Sequence, residues 1–268
     1  MRNTKQNIED IKANGYNIDF GTVFNNAFEN YKKIALQGGV AVLIIVILMC
    51  ILCGLIAVGA VGMALTTNSL SQFRVENLSI MWLVPYIIVI ILVTAIASPI
   101  NAGLIKMAKC AAKAEAFSVG TAFDYYRGSY FKEIVMAAII ISLFSSMFSV
   151  GLQWLGFQLL GFVLSLSVSV LTFLTIPLII FGNLKAMEAI EGSIIIVSKQ
   201  FFILLALMIV SAFFMMLGLF GFCIGIFFTV PFMYSMYYSV YTEIMGDETP
   251  ATLSEELASE ENQSEFNE

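Results

Sequence analysis

The sequence predicts an all-α protein, a polytopic bundle of six transmembrane helices built from three repeats. Each repeat is an interfacial amphipathic helix followed by two spans. Hydrophobic residues occupy 59% of the 268 positions and charged residues only 12%, whereas a soluble domain has about 25% charged residues. The apolar residues form runs long enough to cross a bilayer, and a polar and aromatic pattern recurs ahead of these runs.

Six apolar segments come close to the roughly 20 residues that a helix needs to cross about 30 Å of hydrocarbon. The predicted spans are 35–62, 80–105, 134–151, 158–182, 201–219 and 221–245. Glycine-containing stretches at 151–157 and 218–225 are short enough to reverse the chain as tight hairpins. We therefore expect a polar N-terminal segment (1–17) and a six-span membrane domain (18–245).

The basic residues predict the orientation of the spans. Of the 13 Lys and Arg residues, Arg74 alone lies on one side, and the others lie in the N-terminal segment and in the connections after the second and fourth spans. Cytoplasmic loops of membrane proteins carry such an excess of basic residues. We expect both termini to face the cytoplasm, and the C-terminal stretch 246–268, acidic and poor in apolar residues, to be a disordered tail.

The clearest copies of the repeat are GTVFNNAFENYKK (21–33) and GTAFDYYRGSYFK (120–132). Their apolar residues recur at helical spacing, and Asp19 and Ser118 stand at the expected N-cap positions. An aromatic face with lysine at the end of the helix suits the membrane interface. The predicted interfacial residues, including one from a weaker third copy at 188–200, are Phe24, Tyr31, Lys33, Phe123, Tyr130, Lys132 and Lys199.

Proline marks the second span of each unit. Pro99, Pro177 and Pro231 each follow a threonine by a few residues, and the sequence has only 5 prolines. Because proline removes an amide donor and clashes with the preceding turn, we expect a kink at each of these three sites. The three units then cover about 18–106, 117–185 and 188–245.

Hydroxyl and amide side chains are the polar groups expected within the membrane, since no ionisable residue lies near the middle of a span. Two helical stripes stand out on the third and fourth spans, Ser142, Ser145, Ser146 and Ser149, and Ser165, Ser169 and Thr172. The favoured interpretation is close packing and hydrogen bonding between helices. The alternative is a polar seam lining a cavity, for which the candidate lining residues are Asn101, Thr175, Asn183 and Thr229.

The composition argues against catalysis. The sequence contains no histidine, which excludes metal centres ligated by histidine and acid–base mechanisms that depend on it. No phosphate-binding glycine loop, dinucleotide fingerprint or nucleic-acid footprint is present. We expect no catalytic residue, metal or cofactor, no nucleic-acid partner, and the lipid bilayer and other membrane proteins as partners.

The last third of the chain resembles a known family. In AIEGSIIIVSKQFFILLALMIVSAFFMMLGLFGFCIGIFFTVPFMYSMYYSVY, a serine-bearing helix ends in lysine and leads into a span. A reversal with glycine and cysteine follows, and then a span with a T-x-P motif that ends on aromatic residues. This is similar to the six-span membrane domain that precedes glycerophosphodiester phosphodiesterases and occurs alone in bacterial membrane proteins of unknown function.

The resemblance extends over about residues 18–245 and implies an integral domain of the bacterial inner membrane without an assigned activity. The phosphodiesterase barrel has no counterpart here. We therefore expect a non-enzymatic scaffold or accessory subunit of the bacterial envelope. The alternative is a transporter or lipid-handling protein in which proline-kinked helices surround a central cavity.

Overall fold

A computed structural model describes residues 4–67, 80–218 and 224–246. Within these ranges the chain forms nine α-helices and one 3₁₀ helix, Val119–Tyr126, and no strand. The α-helices are α1 Thr4–Asn14, α2 Phe20–Thr67, α3 Ile80–Ala112, α4 Phe131–Trp154, α5 Gln158–Thr172, α6 Thr175–Ile180, α7 Ala186–Lys199, α8 Phe201–Leu217 and α9 Ile224–Met245. The all-α prediction is confirmed. The predicted acidic tail, apart from Gly246, lies outside the described residues.

The described helices fit a membrane protein. By length and composition four segments can cross a membrane, Phe20–Ile51, Ile87–Ala112, Phe131–Gln153 and Gln158–Ile180. A fifth is obtained if Ala186–Lys199 and Phe201–Leu217, which meet at an angle of 100°, are counted as one broken span. Helix α9, whose second half contains several tyrosines and serines, is not among these segments. The count of six spans therefore stays a prediction.

The three predicted interfacial helices differ from one another in the structure. The first is not a separate element, because α2 runs for 48 residues through both the interfacial stretch and the first span. The second is the 3₁₀ helix, separated from α4 by a short turn. The third is α7, which leaves α8 at the 100° bend. The sequence pattern recurs, but the backbone conformation that connects each interfacial stretch to its span differs among the three copies.

Helix α2 remains continuous through its glycine pair because that pair allows a close helix contact. A Cβ atom on Gly38 would lie 3.0 Å from Pro231 Cγ, and one on Gly39 would lie 2.8 Å from Phe228 Cδ1. Both neighbours belong to α9, so the two helices approach here at backbone distance. Small residues favour such contacts in membranes. The glycines therefore serve packing rather than a break in the helix.

The predicted proline sites also differ among themselves. Helices α3 and α9 continue through Pro99 and Pro231, and only Pro177 lies beside a break, the interruption between α5 and α6. The absent amide of Pro99 frees the carbonyl of Ala95, and the Ser98 hydroxyl donates to that carbonyl at 2.9 Å. Ser98 thus compensates the lost backbone bond, while Thr94, the threonine ahead of this proline, donates to Ile90 O.

The N-terminal segment, predicted only to be polar, contains α1, which packs on α7. Ile8 and Ile11 are buried against the bundle, and Ile8 faces the bare Cα of Gly192. Lys5 Nζ pairs with Glu188 Oε1 at 2.7 Å. The isoleucine spacing of i and i+3 is the signal in the sequence that could have predicted this helix.

Acid is expected to loosen the first turn of α2. The Thr22 backbone N–H donates to Asp19 Oδ1 at 2.6 Å, which confirms the predicted N-cap and holds the pKa of the Asp19 carboxyl below its ordinary value. A carboxylate with a lowered pKa stabilises the folded state above its unfolded pKa, about 4. That contribution is lost as the pH falls through the lower folded pKa.

The protection factor of the Thr22 amide in hydrogen exchange should therefore fall below about pH 4. The matched control is Asp19→Asn, whose side chain also caps a helix but does not titrate. If both proteins lose protection at the same pH, the Asp19 carboxylate is not the cause.

Candidate functional site

A groove of about 560 Å³ lies among α3, α4, α5, α6 and α9. Helix α4 forms its floor and packs against both α3 and α5, which have few contacts with each other in the described residues. The groove is therefore open along one side, between α3 and α5. Its volume is within the range of roughly 300 to 1,000 Å³ that is usual for ligand pockets.

The groove extends along nearly the whole of α4. Ile134 lines it at one end and Gln153 at the other, a distance of about 28 Å at roughly 1.5 Å rise per residue. We call the end near Lys106 and Lys132 the basic end and the opposite one the far end. The groove is about as long as the hydrocarbon core of a bilayer is thick, roughly 30 Å.

Hydroxyl and amide groups dominate the polar part of the lining, and no charged side chain lines the groove in the described residues. The polar lining residues are Thr94, Ser98, Asn101, Ser142, Ser145, Ser146, Ser149, Gln153, Ser165, Ser169, Thr172, Thr175, Tyr234 and Tyr237. Both predicted stripes face this groove. Of the α4 stripe, Ser142, Ser146 and Ser149 are buried, and Ser145 is partly exposed toward the groove.

About half of these hydroxyls donate to carbonyls of their own helix. Thr94 Oγ1 donates to Ile90 O at 2.8 Å and Thr172 Oγ1 to Val168 O at 2.7 Å. Ser142 Oγ donates to Ile139 O at 3.2 Å, and Ser146 Oγ to Ser142 O. Such bonds to the preceding turn are the usual way in which a serine or threonine is satisfied in an apolar environment.

Among the lining residues, Thr175 differs in having a fully buried hydroxyl without a hydrogen-bond partner in the described residues. The residue as a whole is only 1% exposed. The carbonyl four residues earlier, Leu171 O, already accepts a hydrogen bond from Ser193 Oγ at 2.8 Å. An unpartnered buried hydroxyl is costly, so the Thr175 Oγ1 atom marks a place where the groove offers an unused donor and acceptor.

At the basic end, α9 closes the groove. The Tyr234 hydroxyl donates to Asn101 Oδ1 at 2.8 Å and so links α9 to α3. Tyr237 packs against Phe173, with 5.3 Å between the ring centroids. The amide nitrogen of Asn101 and the hydroxyl of Tyr237 make no hydrogen bond within the described part of the chain and remain available to the groove.

Of the four candidate lining residues, Asn101 and Thr175 line the groove and Asn183 and Thr229 do not. Asn183 is exposed in the loop between α6 and α7, where it adopts a positive φ of 53°. Thr229 Oγ1 donates to Ile226 O at 3.2 Å and faces Gly218 across the α8–α9 contact. Both residues are therefore used for local backbone geometry and helix packing.

The predicted interfacial aromatics contribute to packing in the structure. Phe24 and Tyr31 contact Phe232, which is fully buried, at centroid distances of 5.9 and 5.7 Å. Phe123 stacks on Tyr126, and Tyr130 meets Tyr125 edge to face. The predicted rings are partly exposed and take part in contacts between helices, and their position at a membrane interface stays a prediction.

The predicted interfacial lysines have separate environments. Lys33 Nζ donates to Ala111 O at 3.3 Å, at the end of α3. Lys132 and Lys199 are exposed. A lysine that caps the carbonyls at a helix C-terminus stabilises that end through its charge. Lys33 therefore joins α2 to α3 as well as marking the basic end.

The described residues contain no group of three or more histidine, cysteine, aspartate or glutamate side chains that could hold a metal ion. Compared with models of known protein families, with curated proteins and with solved structures, the chain has no significant match in any of the three. The groove is therefore interpreted from its own geometry.

Proposed function

We propose that the protein handles membrane lipids, by letting the polar part of an amphipathic molecule enter the groove while its apolar part stays in the bilayer. The observation that carries this proposal is the groove itself, which is long, lined by hydroxyls and open on one side. A polar headgroup in hydrocarbon needs hydrogen-bonding partners, and the serine and threonine side chains offer them along the path.

The side opening favours a lipid over a water-soluble solute. Thr94 and Ser169, on the two rims of the groove, are exposed, and apolar side chains such as Ile90 and Val168 lie beside them. A molecule with both polar and apolar parts can satisfy such a mixed lining. A solute bound there would leave the open side in contact with lipid tails, where its polar groups would lack partners.

The movement of the lipid would be passive. Transport coupled to protons or ions usually depends on ionisable side chains within the membrane, and none lines the groove in the described residues. The uncharged lining supports equilibration of a lipid between the two ends of the groove rather than pumping against a gradient.

The finer membrane arrangement belongs to the same proposal. It comprises six spans in three units, a location in the bacterial inner membrane, and cytoplasmic termini. The distribution of lysine and arginine supports the orientation. The similarity to the six-span domain found ahead of glycerophosphodiester phosphodiesterases supports a membrane domain that acts without a catalytic centre of its own.

The test is reconstitution of the full chain into vesicles that contain a tracer lipid labelled with a fluorophore on its acyl chain. A membrane-impermeant reductant bleaches only the outer leaflet of protein-free vesicles. If lipids pass through the groove, the reductant should bleach nearly all of the dye in vesicles with protein. A trapped water-soluble dye must stay protected, which excludes leakage. Bleaching equal to that in protein-free vesicles would overturn the proposal.

A scaffold or accessory role without catalysis, with other membrane proteins as partners, is the second proposal. It is favoured by the second half of the first span, where large apolar side chains are exposed, as at Leu55 (68%) and Val58 (73%). Exposed apolar surface of this kind suits lateral contacts with lipid or with another helix. Crosslinking in native membranes that recovers a defined partner, together with no lipid passage in vesicles, would favour it over the first proposal.

A further inference from the structure

The geometry points to a headgroup subsite at the basic end of the groove, formed by Thr175 Oγ1, the amide nitrogen of Asn101 and the hydroxyl of Tyr237. This subsite would take an uncharged headgroup that bears hydroxyls, the headgroup of a neutral lipid. The inference rests on the proposed lipid handling and deepens it, because it states where a headgroup stops and which headgroups are accepted.

The first argument is the unpartnered hydroxyl. The two other threonines of the groove, Thr94 and Thr172, donate to carbonyls one turn earlier, as an isolated threonine in an apolar helix would. Thr175 does not make such a bond in the described residues, and the carbonyl four residues earlier, Leu171 O, accepts a hydrogen bond from Ser193 of α7. Thr175 is only 1% exposed, and its hydroxyl would be satisfied if a bound ligand formed a hydrogen bond with it.

The second argument is the match of donors and acceptors. Thr175 offers a donor and an acceptor, the Asn101 amide nitrogen offers donors, and the Tyr237 hydroxyl offers both. Tyr234 holds Asn101 in place through the bond to Oδ1 and leaves the nitrogen free for the groove. A hydroxyl group of a ligand, which both donates and accepts, complements this set.

The third argument is the absence of a countercharge. The lysines of α3 nearest to this end have other partners, since Lys106 pairs with Asp124 at 2.7 Å and Lys109 lies 4.8 Å from the centre of the Phe181 ring. Neither of them lines the groove, nor does Lys132 of α4, the exposed lysine at this end. A phosphate headgroup would lose its hydration without gaining a cation, which is unfavourable in a site of low polarity.

The aromatic rings at the basic end make the site a place where a headgroup stops along the path. Tyr234 and Tyr237 lie edge to face with 6.2 Å between their centroids, and Tyr237 packs on Phe173. Phe173 is itself only 8% exposed. A headgroup that reaches Thr175 therefore meets a wall of aromatic side chains, so it would reside there before it moves on.

The experiment compares Thr175→Val with Thr229→Val in the full chain, embedded in nanodiscs. Both changes replace a threonine hydroxyl by a methyl group, but only Thr175 lines the groove and has an unpartnered hydroxyl, whereas Thr229 Oγ1 donates to Ile226 O. The probes are diacylglycerol, glucosyl-diacylglycerol and phosphatidylglycerol, each with a photoreactive diazirine on the acyl chain near the headgroup. The measurement is photolabelling of the protein as a function of probe concentration.

The neutral probes should label the unchanged protein and Thr229→Val at the same concentrations, and phosphatidylglycerol should label neither above background. Thr175→Val should need about tenfold more neutral probe, as expected for one lost hydrogen bond in a dry site. Labelling by both neutral probes would show that the single free hydroxyl of diacylglycerol is sufficient for binding. Labelling by the glucosyl lipid alone would show that the subsite requires a sugar. Either result supports the subsite.

Equal labelling by phosphatidylglycerol, or an unchanged response in Thr175→Val, would overturn the inference, and the second result would leave water as the only occupant. The thermal unfolding midpoint in detergent without added lipid separates binding from folding. It should not fall in Thr175→Val, because that change removes a hydroxyl without a partner. A marked fall would assign Thr175 a structural role and overturn the subsite.

Failure of the subsite and failure of the proposed function give different results. Photolabelling in nanodiscs needs no movement across the membrane. Selective labelling without lipid passage in vesicles would remove the proposed function and leave the subsite. Lipid passage in vesicles, together with labelling that depends neither on the headgroup nor on Thr175, would remove the subsite and leave the proposed function.

Discussion

Ser145→Phe is expected to reduce lipid passage at least tenfold while leaving the fold intact. Ser145 lies at mid-length on the floor of the groove, is partly exposed, and makes no hydrogen bond in the described part of the chain. A phenyl ring there fills space between α3 and α5 and removes a polar step of the path. Raising the activation free energy for passage of a headgroup by about 1.4 kcal/mol slows that passage about tenfold.

The matched control is Ser167→Phe. Ser167 lies on α5 between the groove residues Ser165 and Ser169, but it does not line the groove and donates to Val163 O at 2.8 Å. The two variants thus add the same ring, one inside the groove on α4 and one outside it on α5. Passage is measured by reductant bleaching of tracer lipid at equal protein content. Equal rates in the two variants would show that lipid does not use the groove.

Gly103→Ala is expected to be the most destabilising single-methyl change in α3. A Cβ atom at Gly103 would collide with the backbone of Ala122, including its carbonyl oxygen. Ala122 is fully buried in the 3₁₀ helix, and backbone atoms cannot rotate away as a side chain can. Overpacking of this kind typically costs about 1–3 kcal/mol, and a collision with backbone belongs at the upper end.

Gly54→Ala provides the comparison. No atom lies within 4 Å of a Cβ built at Gly54 in α2, and alanine is favoured over glycine within a helix by about 1 kcal/mol. The thermal unfolding midpoint in detergent should therefore fall in Gly103→Ala and stay level or rise in Gly54→Ala. A similar midpoint for both variants would mean that α3 and the 3₁₀ helix are not held at this distance.

Much of the fold follows from residue patterns. Apolar runs predict the helices, and the serine spacing on α4 and α5 predicts two polar faces. The spacing does not reveal whether those faces meet each other or an opening, because this depends on where α3 lies. Ser142 and Ser146 donate to their own helix whichever interpretation holds, so their local chemistry does not decide it.

The basic end of the groove was harder to predict. Tyr234 belongs to the tyrosine-rich end of the last predicted span, yet its hydroxyl donates to Asn101, 133 positions away along the chain. Thr175 lies two residues before Pro177 in the sequence, while the Leu171 carbonyl near it accepts a bond from Ser193 on another helix. Such contacts join distant segments, and a single sequence does not record them.

The interfacial stretches show that a shared sequence pattern does not determine a shared backbone conformation. Residues 21–33 and 120–132 share five identities in register, but one lies within a long α-helix and the other includes a 3₁₀ helix. Helix α2 has no interruption after Lys33, since its glycine pair is packed against α9. The second stretch ends in a turn at Arg127–Tyr130, and there the backbone leaves the helical path before α4 begins.

The continuity of α2 has a mechanical consequence. At 48 residues the helix is about 72 Å long, more than twice the roughly 30 Å of hydrocarbon that it has to cross. Its first turns hold Phe28 and Tyr31 against α8 and α9, and further along the helix Leu48, Leu55 and Val58 are exposed. A long, stiff helix that is held at one end acts as a lever. We therefore expect bending or thinning of the surrounding bilayer to be transmitted along α2 to the aromatic contacts with α9, the helix that closes the groove.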